Sequence, residues 1–251
     1  MHLVHDMAGG ETPTTPVRGI PGSNKGGNLK DLIEYIDRLV GRLIANLEEA
    51  GLRENTVVIF TADNGSSHGR KMHANEYGPH VPFIVNGPGL IKRRGKTLAL
   101  MEFSDIFSTL MDFSGSILPE GYEVDGKSMV PFLTGKKDTH RSSITSWIAT
   151  ARMARTRQWI LEDVDPVYGS KEGRIAFCGD AYHREAYVDM SDSDREDVQA
   201  ARDELESVLE RNPWPDRTIP AVAAEVEAYN SMPYKHFVEG VLVSEPVSLN
   251  R

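Results

Sequence analysis

The 251-residue sequence predicts an α/β fold, a layered sheet domain followed by a smaller α+β subdomain. Three observations carry that expectation. A β-branched and aromatic run from Thr56 to Phe60 leads into Asp63, Asn64 and Gly65, the texture of a buried strand ending in a turn. An amphipathic helix precedes this run, and a second strand and helix follow it, the rhythm of a layered α/β domain. After about residue 140 the texture shifts to short mixed segments.

The elements follow in order. Residues 8–28 are rich in Gly, Pro, Thr and Ser, so residues 1–28 read as an irregular loop segment. Leu29, Leu32, Ile33, Ile36, Leu39, Val40, Leu43, Ile44 and Leu47 then mark one face of a helix. Asn28 is placed to cap it, with Asp31 in the first turn, and Gly51 closes it. A strand over 81–85 ends in the turn Asn86–Gly89, and a helix over 104–113 is expected to bury Ile106, Phe107, Leu110 and Met111. These elements make up a region spanning residues 29–140.

Residues 141–251 form the smaller subdomain. Ser143–Ile148 and Gln158–Glu162 read as strands. Ser193 with Glu196 forms a capping-box pattern for a charged helix running to about Arg211, which Pro213 and Pro215 end. The tail from Asn212 alternates proline with apolar residues and is expected to pack along the surface.

Composition narrows the function classes. A formal net charge of −9 argues against non-specific nucleic-acid binding, which needs concentrated Lys and Arg. Any anion would need its own local positive charge. The single cysteine, Cys178, excludes an internal disulfide framework and a cysteine metal cluster, and reads as a small packing residue. No apolar run is long enough to span a bilayer. The first residues lack the pattern of a signal peptide, and the compartment and oligomeric state stay open.

The chemistry concentrates after the first strand. Asp63 beside Asn64 offers a carboxylate and an amide oxygen beyond a strand's carboxyl end, donors that suit a hard divalent cation. An ordinary Asn-Gly turn is the competing reading. Arg70 and Lys71 follow, with His68, His73 and His80, in an otherwise acidic chain. That is a cationic lip able to neutralise a tetrahedral oxyanion, or a solvated polar loop. A transition-metal site on His68 and His73 matches no specific spacing.

Five stretches in this order make the chain similar to the carboxyl-terminal part of type I sulfatases, of the alkaline-phosphatase-like superfamily. They are Leu32–Gly41, Gly51–Gly65, Lys71 with Glu76 and Val81–Gly89, the Asp105/Thr109 helix, and Asp125–Leu133. Residues 28–135 carry the resemblance well and residues 140–210 more loosely. The resemblance implies that Asp63 and Asn64 ligate Ca2+, that Lys71 contacts the sulfate group, and that His5 corresponds to a histidine holding the sulfate or leaving oxygen. Where the family usually has arginine before Val-Pro, this chain has His80, which puts a structural ion pair in doubt.

The larger departure is what the sequence lacks. Neither the paired-aspartate metal motif nor the Cys-x-Pro-x-Arg motif, whose cysteine becomes the formylglycine nucleophile, occurs in it. Thr14–Gly19 has that outline with threonine in place of cysteine, and reads as a coincidental loop. The resemblance therefore implies sulfate-ester hydrolysis by an intact parent acting on a sulfated small molecule or glycan. This chain is read as amino-terminally truncated, with half a calcium site and inactive alone. Intact members are often periplasmic or secreted. Two rivals stand beside that expectation. One is a non-catalytic module binding sulfated glycans or a partner, and the other a phosphate or phosphonate hydrolase of the same superfamily.

Overall fold

A computed structural model describes residues 15–16, 24–25, 29–65, 74–148, 151–164, 172–213, 234–238 and 241–245. They fall into two compact units. One takes the residues up to Thr61 together with Pro82–Arg94, and the other takes Ala62–Val81 and the residues from Gly95 onward.

In the first unit, β1 (Thr15–Pro16) pairs antiparallel with β2 (Asn24–Lys25), a short ladder inside the stretch read as loop. Helix α1 (Leu29–Glu49) follows; its cap residue Asn28 lies outside the described residues. Gly51 adopts φ +67°. Its N–H bonds the Glu48 carbonyl at 3.0 Å while Leu52 bonds Leu47 at 2.9 Å, the paired bonds of a Schellman ending that favours glycine.

After a 3-10 turn at Arg53–Asn55 comes β3 (Val58–Thr61), antiparallel to β4 (Phe83–Asn86) with Val58 opposite Asn86. The run read as a buried strand is half-buried at every position, and Ile84 is exposed. The reason is that β3 and β4 form a sheet of only two strands, so each has one neighbour. The Arg53 guanidinium bonds the Asn86 amide oxygen. A Cβ on Gly89 would fall on the Glu54 carbonyl, so the Asn86–Gly89 turn needs glycine there.

The second unit contains α2 (Ser104–Ser114), the single turn α3 (Val130–Leu133), and a five-stranded antiparallel sheet. Its strands run in sequence order: β5 (Ser143–Ile148), β6 (Ala151–Thr156), β7 (Trp159–Glu162), β8 (Arg174–Phe177) and β9 (Val188–Asp189). Residue alternation gives the sheet two faces. On one, Ala154, Leu161 and Ile175 pack with Val198, Ala201, Leu205, Val208 and Leu209 of α4 (Glu196–Arg211). On the other, Met153, Ile160, Ala176, Cys178 and Tyr187 form a second cluster. Cys178 is buried, as its packing role requires, and burial pushes its thiol up to about 11. The chain's last described strands, β10 (Tyr234–Val238) and β11 (Val241–Glu245), form an antiparallel hairpin within the stretch read as a proline-alternating tail.

Two expectations are corrected in this unit. The residue before α4 is Arg195, with no side-chain cap. Ser193 instead takes the Arg195 N–H at 3.4 Å, so the capping box does not form. Helix α2 buries only part of the face expected from the sequence, with Ile106 and Met111 half-buried. Asp105 and Thr109 are fully buried, while Phe107 and Leu110 are exposed.

Candidate functional site

Asp63 and Asn64 follow β3 directly in the sequence, both exposed, in a bend. The Asn64 N–H bonds the Asp63 Oδ1 at 2.9 Å, a local bond that orders the turn. Gly65 then donates its N–H to the Gly78 carbonyl at 2.7 Å. A Cβ at Gly65 would fall on the Tyr77 carbonyl oxygen, so only glycine lets the two segments lie this close. The turn is thus locked against residues 77–78, with its two oxygen-bearing side chains outward.

The segment that holds it is anchored in turn. Glu76 is buried, its Oε1 accepts from Arg155 of β6, and His80 Nδ1 lies 3.1 Å from the same oxygen. Arg155 is itself buried, donates to the Tyr187 hydroxyl at 2.9 Å, and lies 5.3 Å over the Tyr187 ring. Burial lowers the His80 pKa below its ordinary value. The permanent charge opposite Glu76 comes from Arg155, so the His80 departure leaves a structural ion pair in place. An open cavity of about 220 Å³ adjoins the turn, where Gly65, Glu76, Tyr77 and His80 meet His183 and Glu185.

Asp105 and Thr109 have structural work. Asp105 accepts from Arg141 Nε at 2.9 Å, His140 Nε2 at 2.9 Å, the Glu102 N–H at 2.9 Å and the Lys127 N–H at 2.8 Å. Burial alone would raise its pKa, but these bonds outweigh burial, led by Arg141, and bring it down to about 2. Thr109 accepts the Met129 N–H at 2.9 Å. Together they fasten the 126–129 segment to α2, and a Cβ on Gly126 would fall on the Ser104 carbonyl.

Of the residues singled out from sequence, Asp63, Asn64, Glu76, His80, Asp105, Thr109 and Cys178 are described. His5, His68, Arg70, Lys71 and His73 lie outside the described residues. Asp63 and Asn64 have the donor chemistry of a hard-cation site but supply two side chains, against the six to eight oxygens calcium takes. Among the described residues no three His, Cys, Asp or Glu side chains come together to hold a metal. Sequence reasoning missed Arg155, Tyr187, His140 and Arg141. The Glu76–Arg155 pair is separated by 79 positions, and no local pattern announces it.

The sheet-and-helix layers define an α/β fold of the alkaline-phosphatase-like class. A solved chain titled for glycosaminoglycan metabolism by Bacteroides thetaiotaomicron superposes with a TM-score of 0.57 at 24% identity, covering 71% of this chain and 44% of its own. Another, solved with its substrate D-glucosamine-2-N,6-O-disulfate, gives a TM-score of 0.50 at 21% identity, covering 72% and 38%. The sulfatase family model matches residues 26–116. Arylsulfatase K of Gallus gallus is 30% identical over 141 residues, 49% of this chain and 26% of the relative. N-acetylgalactosamine-6-O-sulfatase of Bacteroides thetaiotaomicron is 30% identical over 154 residues, 53% and 30%. The chain is similar to type I sulfatases over part of its length and spans 26–30% of these two curated relatives. No described helix is long and apolar enough to cross a membrane.

Proposed function

We propose that the chain is the carboxyl-terminal part of a sulfate-ester hydrolase acting on a sulfated sugar. In this reading Asp63 and Asn64 are part of a calcium site, Lys71 is a sulfate contact, and His5 serves the leaving oxygen. The observation that carries it is the glycine-locked turn, which presents Asp63 and Asn64 as exposed oxygen donors on an anchored segment. Calcium, when bound, supplies charge that polarises a sulfate oxygen. The Lys71 ammonium binds the sulfate and offsets charge developing on its oxygens. The relatives named for sulfated sugars support the substrate class. The remaining metal ligands and the nucleophile come from sulfatase sequence outside these residues.

The test joins this chain to an amino-terminal sulfatase segment carrying Cys-x-Pro-x-Arg, matured to formylglycine. The joined protein is expected to release sulfate from an aryl sulfate in the presence of calcium. Asp63→Ala or Lys71→Ala should lower kcat/KM by about 10²–10³, the usual cost of removing one transition-state charge contact. The 251-residue chain alone should release none. Binding of a sulfated sugar without hydrolysis in the joined protein would identify a non-catalytic module. Preference for a phosphate ester would identify a phosphohydrolase.

A further inference from the structure

The open cavity of about 220 Å³ that Gly65 lines, directly after the Asp63–Asn64 turn, has two walls. Each is pinned by an ion pair with a buried carboxylate. One wall is the 76–80 segment, held where Glu76 meets Arg155 of β6. The other is the 3-10 turn Arg184–Ala186, which His183 precedes. Arg184 fixes that turn by donating from Nη2 to both carboxylate oxygens of buried Glu162, at 2.7 and 2.6 Å. The walls also hold each other. The Tyr77 hydroxyl donates to Glu185 Oε1 at 3.0 Å, and the Arg184 guanidinium lies 5.1 Å over the Tyr77 ring. A cavity fixed before its ligand arrives loses little ordering entropy on binding.

The lining decides what fits. Apart from Gly65 and Tyr77, every lining residue carries a charged or imidazole side chain, with no aliphatic one among them. An apolar ligand finds no matching surface there. The volume lies below the roughly 300–1,000 Å³ of drug-sized pockets and gives room for a single ring. Two carboxylates, Glu76 and Glu185, line it against one guanidinium, Arg184, whose charge already faces Glu162. Glu76 Oε2 is a buried acceptor with no hydrogen-bond partner among the described residues. Its field favours a ligand that brings O–H donors and disfavours one that brings a carboxylate.

We propose that this cavity takes an uncharged, hydroxyl-bearing sugar ring and rejects a ring that carries a carboxylate, with Glu185 a specificity-determining residue. The assignment rests on the reading of the chain as part of a hydrolase for a sulfated sugar, whose sulfate would lie outside the cavity at Lys71. The test titrates the full, isotope-labelled chain with D-glucose and with D-glucuronate, which differ only in a hydroxymethyl against a carboxylate. Unsulfated probes keep the measurement independent of the sulfate contact. At about pH 8, above the ordinary histidine range, glucose should shift the amide signals of Tyr77, His183 and Glu185. It should bind at least about tenfold more tightly than glucuronate, as a like-charge clash requires. Glu185→Lys should bring the two sugars to parity or reverse them, and Glu185→Gln should give an intermediate ratio. Glu185 is exposed, so both variants should keep the wild-type melting curve.

Absence of any shift at the lining residues with either sugar overturns the proposal. Glucuronate binding as tightly as glucose overturns it too, as does a preference that neither Glu185 variant changes. The enzymatic reading fails separately. If the chain joined to a formylglycine-bearing segment releases no sulfate while glucose outbinds glucuronate, the cavity assignment stands and the hydrolase reading falls. If it releases sulfate while glucuronate binds equally well, only the cavity assignment falls.

Discussion

The two units meet the problem of burying apolar side chains in opposite ways. In the unit built on α1, β3 and β4, Ile91 is the one fully buried apolar residue among those described. Val58, Ile59 and Phe60 are only half-buried, and Ile33, Leu52 and Ile84 are exposed. In the other unit, α4 and the five-stranded sheet bury two apolar clusters, one on each sheet face. An isolated two-stranded ribbon is marginal in water, whereas several strands packed on a helix sustain themselves. The contrast teaches that apolar sequence is no guide to burial where a strand has a single neighbour.

The strongest way to break the comparison is to attack the buried ion pair of the self-sufficient unit. Arg155→Ala leaves Glu76 buried with only the His80 contact. Removing one partner of such a pair costs about 3–5 kcal/mol. Urea unfolding followed by Trp159 fluorescence should show a correspondingly lower midpoint. A joint Glu76→Leu/Arg155→Met change should recover part of that loss, because no orphaned charge remains. An Arg155→Ala midpoint equal to wild type would mean the pair is not closed in solution.

A matched pair of truncations sharpens the comparison next. Leu205 is fully buried against the sheet, so Leu205→Ala should cost about 2–5 kcal/mol. Phe60→Ala, in the half-buried strand, should cost well under the 3–5 kcal/mol typical of a buried phenylalanine. Amide exchange should agree, slowest in β6–β8 and fast in β3–β4. Equal costs for the two substitutions, or strong protection in β3, would show that the first unit is covered after all.

Legibility from sequence followed the same divide. Helix α1, its glycine ending and the β3 and β4 runs were readable because each is set by local periodicity and turn chemistry. Strand β6 was not. Its sequence, Ala151–Thr156, is poor in β-formers, and it is buried because strands on both sides and α4 cover it. Helix α2 was found, but Phe107 and Leu110 of its expected buried face are exposed. An apolar stripe at helical spacing normally predicts the core, and here a buried Asp105–Arg141–His140 network takes that side instead. At the site, Asp63 and Asn64 were visible as a motif, whereas the lock that orders them needs Gly65 against Tyr77 and Gly78. Nothing in the local pattern encodes that contact.

Acid provides a smaller test confined to the second unit. The Asp105 carboxyl is held at about 2, below its ordinary 3.8. A carboxyl lowered by folding adds stability that is fully present above its unfolded pKa and is lost as pH falls through the folded one. The loss should therefore run from about pH 4 down to about pH 2 and amount to about 2 kcal/mol. Asp105→Asn should flatten that slope while lowering stability at neutral pH. His80 contributes in the same direction near neutrality, because its lowered pKa makes protonation favour the unfolded chain as pH drops below about 6.5.

The smallest expected effect concerns the start of α4. A working capping box contributes about 1 kcal/mol through a hydroxyl that satisfies an orphan N–H of the first turn. Ser193 takes only a long 3.4 Å bond from Arg195, outside the helix. The Val198 and Gln199 N–H groups of the first turn bond the Arg195 carbonyl instead. The Asp197 carboxylate, in the first turn where negative charge is favourable, is paired with the Arg195 guanidinium. Ser193→Ala should accordingly change stability by no more than about 0.5 kcal/mol, within the range of an ordinary surface substitution. A loss near 1 kcal/mol would show that the hydroxyl reaches the helix in solution, and the sequence pattern would then have read this end of α4 correctly.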